Sequence, residues 1–223
     1  MAFRGTGLIP RLARNASVDS VGLVSAPESF AHNAAIAAYY ERRAGEYDEW
    51  YGGEGRFAAR SRPGWPEEVA GLVRLVASLP PARTLDVACG TGFLTRHLRG
   101  FTVGVDQSRS MVAIAQARLP EGLAIVGDAL DLVVADRSFD RVFTGHFYGH
   151  LPPDERRRFL AEAQRAAAEL VIVDSALRPG VGPEEHQERV LNDGSRHTVY
   201  KRYLTRTGRA LRRPLKSGAI CNR

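Results

Sequence analysis

The sequence predicts an α/β fold: a doubly wound, mostly parallel sheet with helices on both faces. Three observations predict it. Short apolar runs alternate with helical patterns between Pro66 and Val173, and that alternation builds parallel sheets. Runs such as Val171-Ile172-Val173 are apolar on both faces, as a strand covered from each side requires. Arg83 to Thr95 reads as a strand, a glycine turn and a helix start, the first half of a nucleotide-binding βαβ unit.

Each element has its own signal. Met1 to about Pro27 lacks periodicity. It is arginine-bearing and short of acids, like a transit peptide, and reads as a loose N-terminal extension. Ser29 to Trp50 is expected to be helical, with Ser29 as N-cap. Its alanines favour helix, Tyr39, Tyr40, Tyr47, Trp50 and Tyr51 give it an aromatic face, and Gly52-Gly53 stops it. Pro66 to Leu79 is amphipathic, with Val69, Leu72, Val73, Val76 and Leu79 on one stripe. Pro66 suits its first turn, and Glu67-Glu68 suit the positive end of its dipole.

Thr84 to Ala88 is the next strand. Cys89-Gly90-Thr91-Gly92 turns the chain, and Phe93 to Leu98 is expected to begin a helix. Glycine has no Cβ, so backbone can turn at positive φ and come close to a ligand. Strands follow at Phe101 to Val105, Leu123 to Val126, Phe139 to Thr144 and Leu170 to Val173. Between them lie helices from Met111 to Leu119, capped by Ser108, and from Pro153 onward with Phe159, Leu160 and Ala163 on its apolar face.

Composition bounds the rest. The chain has 223 residues, 44% hydrophobic and 25% charged, suited to one α/β domain with appendages. No apolar run approaches the roughly 20 residues of a membrane span, so a soluble, cytoplasmic protein is expected. Cys89 and Cys221 give no disulfide or zinc framework. The net charge of +6 is uneven: no acid follows Asp193, while Arg196, Lys201, Arg202, Arg206, Arg209, Arg212, Arg213, Lys216 and Arg223 are basic. Such a tail is either a solvated end or a contact for nucleic acid or anionic membrane.

In sheets of this kind ligands bind beyond the carboxyl ends of the strands. Those ends carry Asp86 and Gly90, Asp106, Asp128 and His146. Asp106 lies 20 residues after Asp86, where an acid accepts the hydroxyls of a ribose. That fits NAD and S-adenosylmethionine alike, but a dinucleotide turn needs a third glycine where this chain has Thr95. A phosphate-free ligand needs only the room that Gly90 and Gly92 leave.

These residues carry a resemblance. Leu85-Asp-Val-Ala-Cys-Gly-Thr-Gly92 resembles the first motif of the class I S-adenosylmethionine-dependent methyltransferases. Gly104-Val-Asp106-Gln107-Ser108 resembles their ribose-binding strand end, and Gly127-Asp128-Ala129 their adenine-contacting turn. Tyr39 to Asp48 is similar to the helix preceding the core in the branch that holds quinone-biosynthesis and many small-molecule enzymes. The resemblance implies S-adenosyl-L-methionine as cofactor and a Rossmann-like core. It implies that Gly90 and Gly92 line the methionine end, Asp106 and Gln107 the ribose, and Asp128 with Ala129 the adenine. Asp86 would support the loop or the methionine ammonium, and Ala88 stands where many members have glycine. Tyr39 and Tyr47 would close over the methyl. No metal is expected.

The expected organisation is an extension over residues 1–27, a helical cap over 28–65, the cofactor-binding core over 66–180, and a substrate-side segment with a basic tail over 181–223. His146 is the candidate general base, with Tyr148 and His150 nearby. Gln187 to Thr205 resembles a substrate-side insertion of some members. Thr207 to Arg223 carries little strand signal, so the closing β-hairpin is expected to be missing or incomplete, leaving the fifth strand as an open edge. The leading function is methyl transfer to a small-molecule acceptor. The rivals are an inactive S-adenosylmethionine-binding module, an RNA methyltransferase using the basic tail, and an NAD-dependent oxidoreductase, which Thr95 disfavours.

Overall fold

A computed structural model describes residues 29–205 and the backbone of residues 210–214. The expected N-terminal extension and most of the basic tail lie outside them. Helix α1, Ala34–Arg43, is capped by Asn33, whose side chain accepts from the Ala35 and Ile36 amides. The expected cap, Ser29, is not part of the helix. Ser29 to Asn33 instead crosses the sheet tips, held by the Glu155 carboxylate, which accepts from the Phe30 and Ala31 amides at 3.1 Å each. The long helix foreseen to Trp50 is broken into α1, one 3₁₀ turn at Ala44–Glu46 and a short α2, Glu49–Gly52, stopped by left-handed Gly53. Helix α3 is Trp65–Ala77.

The core strands are β1, Thr84–Val87; β2, Thr102–Asp106; β3, Leu123–Val126; β4, Phe139–Gly145; and β5, Ala167–Val173. Helices α4, Arg109–Arg118, and α5, Pro153–Ala166, connect β2 to β3 and β4 to β5. Ser108 caps α4 as expected, its hydroxyl accepting from the Met111 amide. The helix expected after the glycine turn is absent: only a 3₁₀ turn, Thr95–His97, forms there.

The strand order is β3-β2-β1-β4-β5 with all neighbours parallel, so the order reverses between β1 and β4. Alternate residues feed opposite faces. Val142, Leu170 and Ile172 join one buried cluster with Leu85, Val87, Phe159 and Ala163. Phe143, Val171 and Val173 join another with Leu72, Val76 and Leu98. This is the two-sided burial that the apolar strands demanded.

The C-terminal expectation is corrected. Strand β6, Glu184–Val190, and strand β7, Arg196–Arg202, form an antiparallel hairpin apart from the main sheet. Strand β8, Ala210–Pro214, lies antiparallel beside β5, with Val173 opposite Ala210 and Glu169 opposite Pro214. The fifth strand is therefore covered. Ladder bonds use backbone groups, so an arginine-rich run can supply an edge strand that side-chain patterning conceals. The β6–β7 hairpin docks on the N-terminal helices: Arg42 pairs with Asp193 at 2.5 Å, and the Asn192 amide donates to Glu46 at 2.7 Å.

Candidate active site

The tips of β1 to β4 surround a cavity of about 290 Å³ at the point where the strand order reverses. Of the predicted residues, Ala88, Gly90, Asp106, Gln107, Asp128, Ala129, Tyr47 and His146 line it. The Gly90 amide donates to Asp106 Oδ2 and the Ser108 amide to Asp106 Oδ1, both at 2.9 Å. Burial pushes the Asp106 carboxyl up, while these amides pull it back. Gly90 is left-handed, with φ +55°, and the Tyr47 ring covers the space a Cβ would enter, 3.5 Å away. Burial pushes the Tyr47 hydroxyl up to about 12, against the pull of Arg43, whose guanidinium lies 4.8 Å from the Tyr47 ring centre.

Three predicted residues do not line this cavity. Tyr39 turns inward, where its hydroxyl accepts from Arg43 Nη1 at 2.6 Å and its ring packs on His197. Its neighbour Tyr40 lines the cavity instead, because adjacent helix positions point about 100° apart. Gly92, at φ +75°, meets α4: a Cβ there would come within 3.2 Å of the Ala115 Cα. Asp86 sits behind the turn, 2% exposed. Its Oδ2 accepts from the Thr95 hydroxyl at 2.6 Å, while its Oδ1 is buried with no hydrogen-bond partner among the described residues. Burial pushes this carboxyl up to about 8.

The sequence reading missed the roof. Phe30, Ala31 and His32 line the cavity from the turn before α1, and His32 Nε2 meets Asp128 Oδ2 at 2.7 Å. Glu41 fastens α1 over β2 by accepting from the Ser108 hydroxyl at 2.6 Å and the Ser110 amide at 3.1 Å. Asn33 before an alanine run was the available signal for where the helix begins and the roof ends.

His146 adopts φ +59°, a strained value for a side-chain-bearing residue. Its amide donates to the Val173 carbonyl at 2.7 Å, and its ring stands edge-on to Trp50 with centroids 5.2 Å apart. It lines both this cavity and a second one beyond it. His150 is locked differently. Its Nδ1 lies 2.6 Å from the Tyr200 carbonyl; a carbonyl only accepts, so Nδ1 carries the proton. Burial and the nearby Lys201 ammonium hold His150 well below the usual range, hence neutral. Tyr148 lines neither cavity; its ring packs by Phe159.

The donor set decides which nucleotide the first cavity suits. Asp106 and Asp128 line it, and no lysine or arginine does. A pyrophosphate would meet two carboxylates and no compensating cation, nor any helix N-terminus after the glycine turn. A sulfonium nucleoside meets carboxylates for its hydroxyls and the aromatic rings of Tyr40, Tyr47 and Phe147 for its charge. The residues fit S-adenosylmethionine. Among the described residues, no cluster is placed to hold a metal ion, and no helix is long and apolar enough to cross a membrane.

Known proteins agree. Residues 84–169 match the methyltransferase domain family. The chain is 38% identical over 99 residues to the demethylmenaquinone methyltransferase of Thermotoga maritima, covering 42% of each chain. The structure superposes on the DhpI–SAH complex with a TM-score of 0.58 at 26% identity, covering 76% of this chain and 79% of that one. It superposes equally well, at 0.58 and 26%, on the DhpI–SAM–HEP complex, covering 75% and 80%. The chain spans about half the length of the curated relatives it matches. Residues 84–169 thus resemble a methyltransferase domain, carried on a fold shared with the DhpI complexes with SAH and SAM.

Proposed function

We propose that this chain transfers a methyl group from S-adenosylmethionine to a small-molecule acceptor by in-line displacement. The observation that carries the reading is the acidic, lysine- and arginine-free cavity at the four strand tips. In it, Asp106 and Gln107 would hold the ribose, Asp128 and Ala129 the adenine, and Gly90 with Tyr47 the methionine end. Asp86 acts at one remove, holding the turn through Thr95. When bound, the cofactor supplies a methyl group already activated by a sulfonium charge. The protein then has to align the partners and exclude water, and alignment alone can supply about 7–11 kcal/mol of a barrier. The roof of Phe30, Ala31 and Tyr40 supplies the exclusion.

A general base is needed only where the acceptor must lose a proton. We assign that role to His146, which lines both cavities. Small acceptors are favoured over RNA by the fate of the basic residues within the described part. Arg196 pairs with Glu188, Lys201 is buried against Asp174, and Arg202 stands 3.8 Å from Glu184. Three of the cations that suggested a nucleic-acid surface are thus neutralised from within.

Calorimetric titration with S-adenosylhomocysteine, followed by labelled-methyl turnover on small-molecule extracts, tests the reading. Binding with turnover is expected. Binding without any turnover would favour the inactive module, and no binding to folded protein would end the proposal.

A further inference from the structure

The second cavity, about 320 Å³, lies between the tips of β4 and β5 and the segment from Trp50 to Leu72. His146 is the one residue it shares with the first cavity. Its wall is aromatic. Trp50 and Trp65 stand edge-to-face with centroids 4.7 Å apart, and Tyr51 packs edge-on against Trp50 at 4.8 Å. The indole N–H of Trp65 is already used, donating to the Trp50 and Tyr51 carbonyls at 3.2 and 3.1 Å. The Trp65 part of the wall therefore has no free N–H to offer a ligand.

Its charged lining is two arginines, Arg62 and Arg178, and two acids, Glu68 and Asp174. Arg62 lies 4.2 Å from the Trp65 ring centre, and its Nη1 and Nη2 both reach the Trp50 carbonyl at 3.3 Å. Among the described residues no carboxylate pairs with it. Partial burial and the neighbouring Arg60 push its pKa down, the mark of a cation short of a counter-charge. Arg178, on the opposite side, has Glu68 as its ion-pair partner only at 3.9 Å, and its side chain is 68% exposed. The other acid on the wall, Asp174, is already engaged by the Lys201 ammonium and the Gly149 amide. The cavity thus combines flat apolar walls with an under-compensated positive rim, which suits a planar ligand bearing an oxyanion.

We propose that this cavity binds the methyl acceptor, and that the acceptor is a flat aromatic or conjugated molecule carrying an oxyanion. Its ring packs on Trp50 and Trp65, its anion meets Arg62 and Arg178, and its reacting end points to His146. The word acceptor rests on the methyl-transfer reading above; the oxyanion site does not.

Trp50 and Trp65 are the 2 tryptophans of the chain, so tryptophan emission reports on this cavity alone. The probes are cinnamate, its neutral amide cinnamamide, the cation cinnamylammonium, and phenyl phosphate, each titrated with and without saturating S-adenosylhomocysteine. Cinnamate or phenyl phosphate is expected to shift the emission saturably and to bind at least about tenfold more tightly than the amide, the yield of one charge-assisted contact. The tighter of the two names the oxyanion. Arg62→Gln is expected to remove the preference for the anion, Arg62→Lys to restore part of it, and calorimetric binding of S-adenosylhomocysteine to stay unchanged in both, which also shows that they fold. Equal binding of acid and amide, a preference for the ammonium, or an anion preference that survives Arg62→Gln overturns the proposal. Anion selectivity without S-adenosylhomocysteine binding sinks the methyl-transfer reading and keeps the oxyanion site. S-adenosylhomocysteine binding without anion selectivity does the reverse.

Discussion

The Gly90 amide donates to the Asp106 carboxylate at 2.9 Å, tying the turn after β1 to the tip of β2. The other oxygen of the same carboxylate holds the Ser108 amide at 2.9 Å. One side chain therefore sets the spacing of two strand tips and also faces the cavity. Asp106→Asn keeps the shape but turns an NH₂ toward one of the two amide donors. S-adenosylhomocysteine affinity is expected to fall about 10- to 100-fold, read by calorimetry at fixed salt. An unchanged Kd on folded protein would place the ribose elsewhere.

Ala88 sits at φ +59°, in the left-handed region, at a position where glycine would be unstrained. A side chain there costs roughly 1–2 kcal/mol, offset in part by the greater unfolded-state freedom of glycine. Ala88→Gly is expected to raise stability by up to about 1 kcal/mol, seen as a higher urea midpoint with an unchanged slope. A lower midpoint would mean that the methyl group packs well enough to outweigh the strain.

The strand tips were readable because apolar runs ending in glycine or aspartate are local signals. Asp106, Asp128 and Gly127 stand where those signals put them. What stayed hidden depended on the third dimension. Whether Tyr39 or Tyr40 faces the ligand is a helix rotation, set by Arg43 and His197 capturing Tyr39. That Gly92 packs against Ala115 of α4 and does not line the first cavity is a packing fact. Ser29 looked like a cap, but a carboxylate 126 residues away claims it. Strand β8 was concealed because its partner, β5, contributes backbone that no side-chain pattern on β8 reveals.

Asp86 gives stability a pH dependence. Burial holds its folded pKa at about 8, against about 4 in an unfolded chain. Between those values the folded protein keeps a proton that the unfolded chain releases. Its contribution is therefore fully present below about pH 4 and is lost as pH rises to about 8, with a slope of at most about 1.4 kcal/mol per pH unit. Asp86→Asn can still accept from Thr95 and has no proton to lose. Urea unfolding from about pH 5 to about pH 8 should show a flatter profile for the variant and a gain at the alkaline end. Parallel profiles for the two proteins would show that Asp86 is ionised in the fold.

Lys201 and Asp174 form the buried ion pair that seats β7 on the tip of β5, with side chains 5% and fully 0% exposed. Asp174 also accepts from the Gly149 amide at 2.7 Å, so the pair fixes the loop that carries His146 and His150. Burial alone would raise the Asp174 carboxyl. The Lys201 ammonium outweighs burial and holds it below the usual range. Removing one partner strands a charge: Lys201→Met is expected to cost about 3–5 kcal/mol. Adding Asp174→Asn should recover much of that loss, since an amide needs no counter-ion and can still accept from Gly149. The double variant should keep S-adenosylhomocysteine binding within a few fold, because neither residue lines the first cavity. If the double variant is no more stable than Lys201→Met alone, the lysine stem's packing against β5 matters more than its charge, and the hairpin is held by burial rather than by the pair.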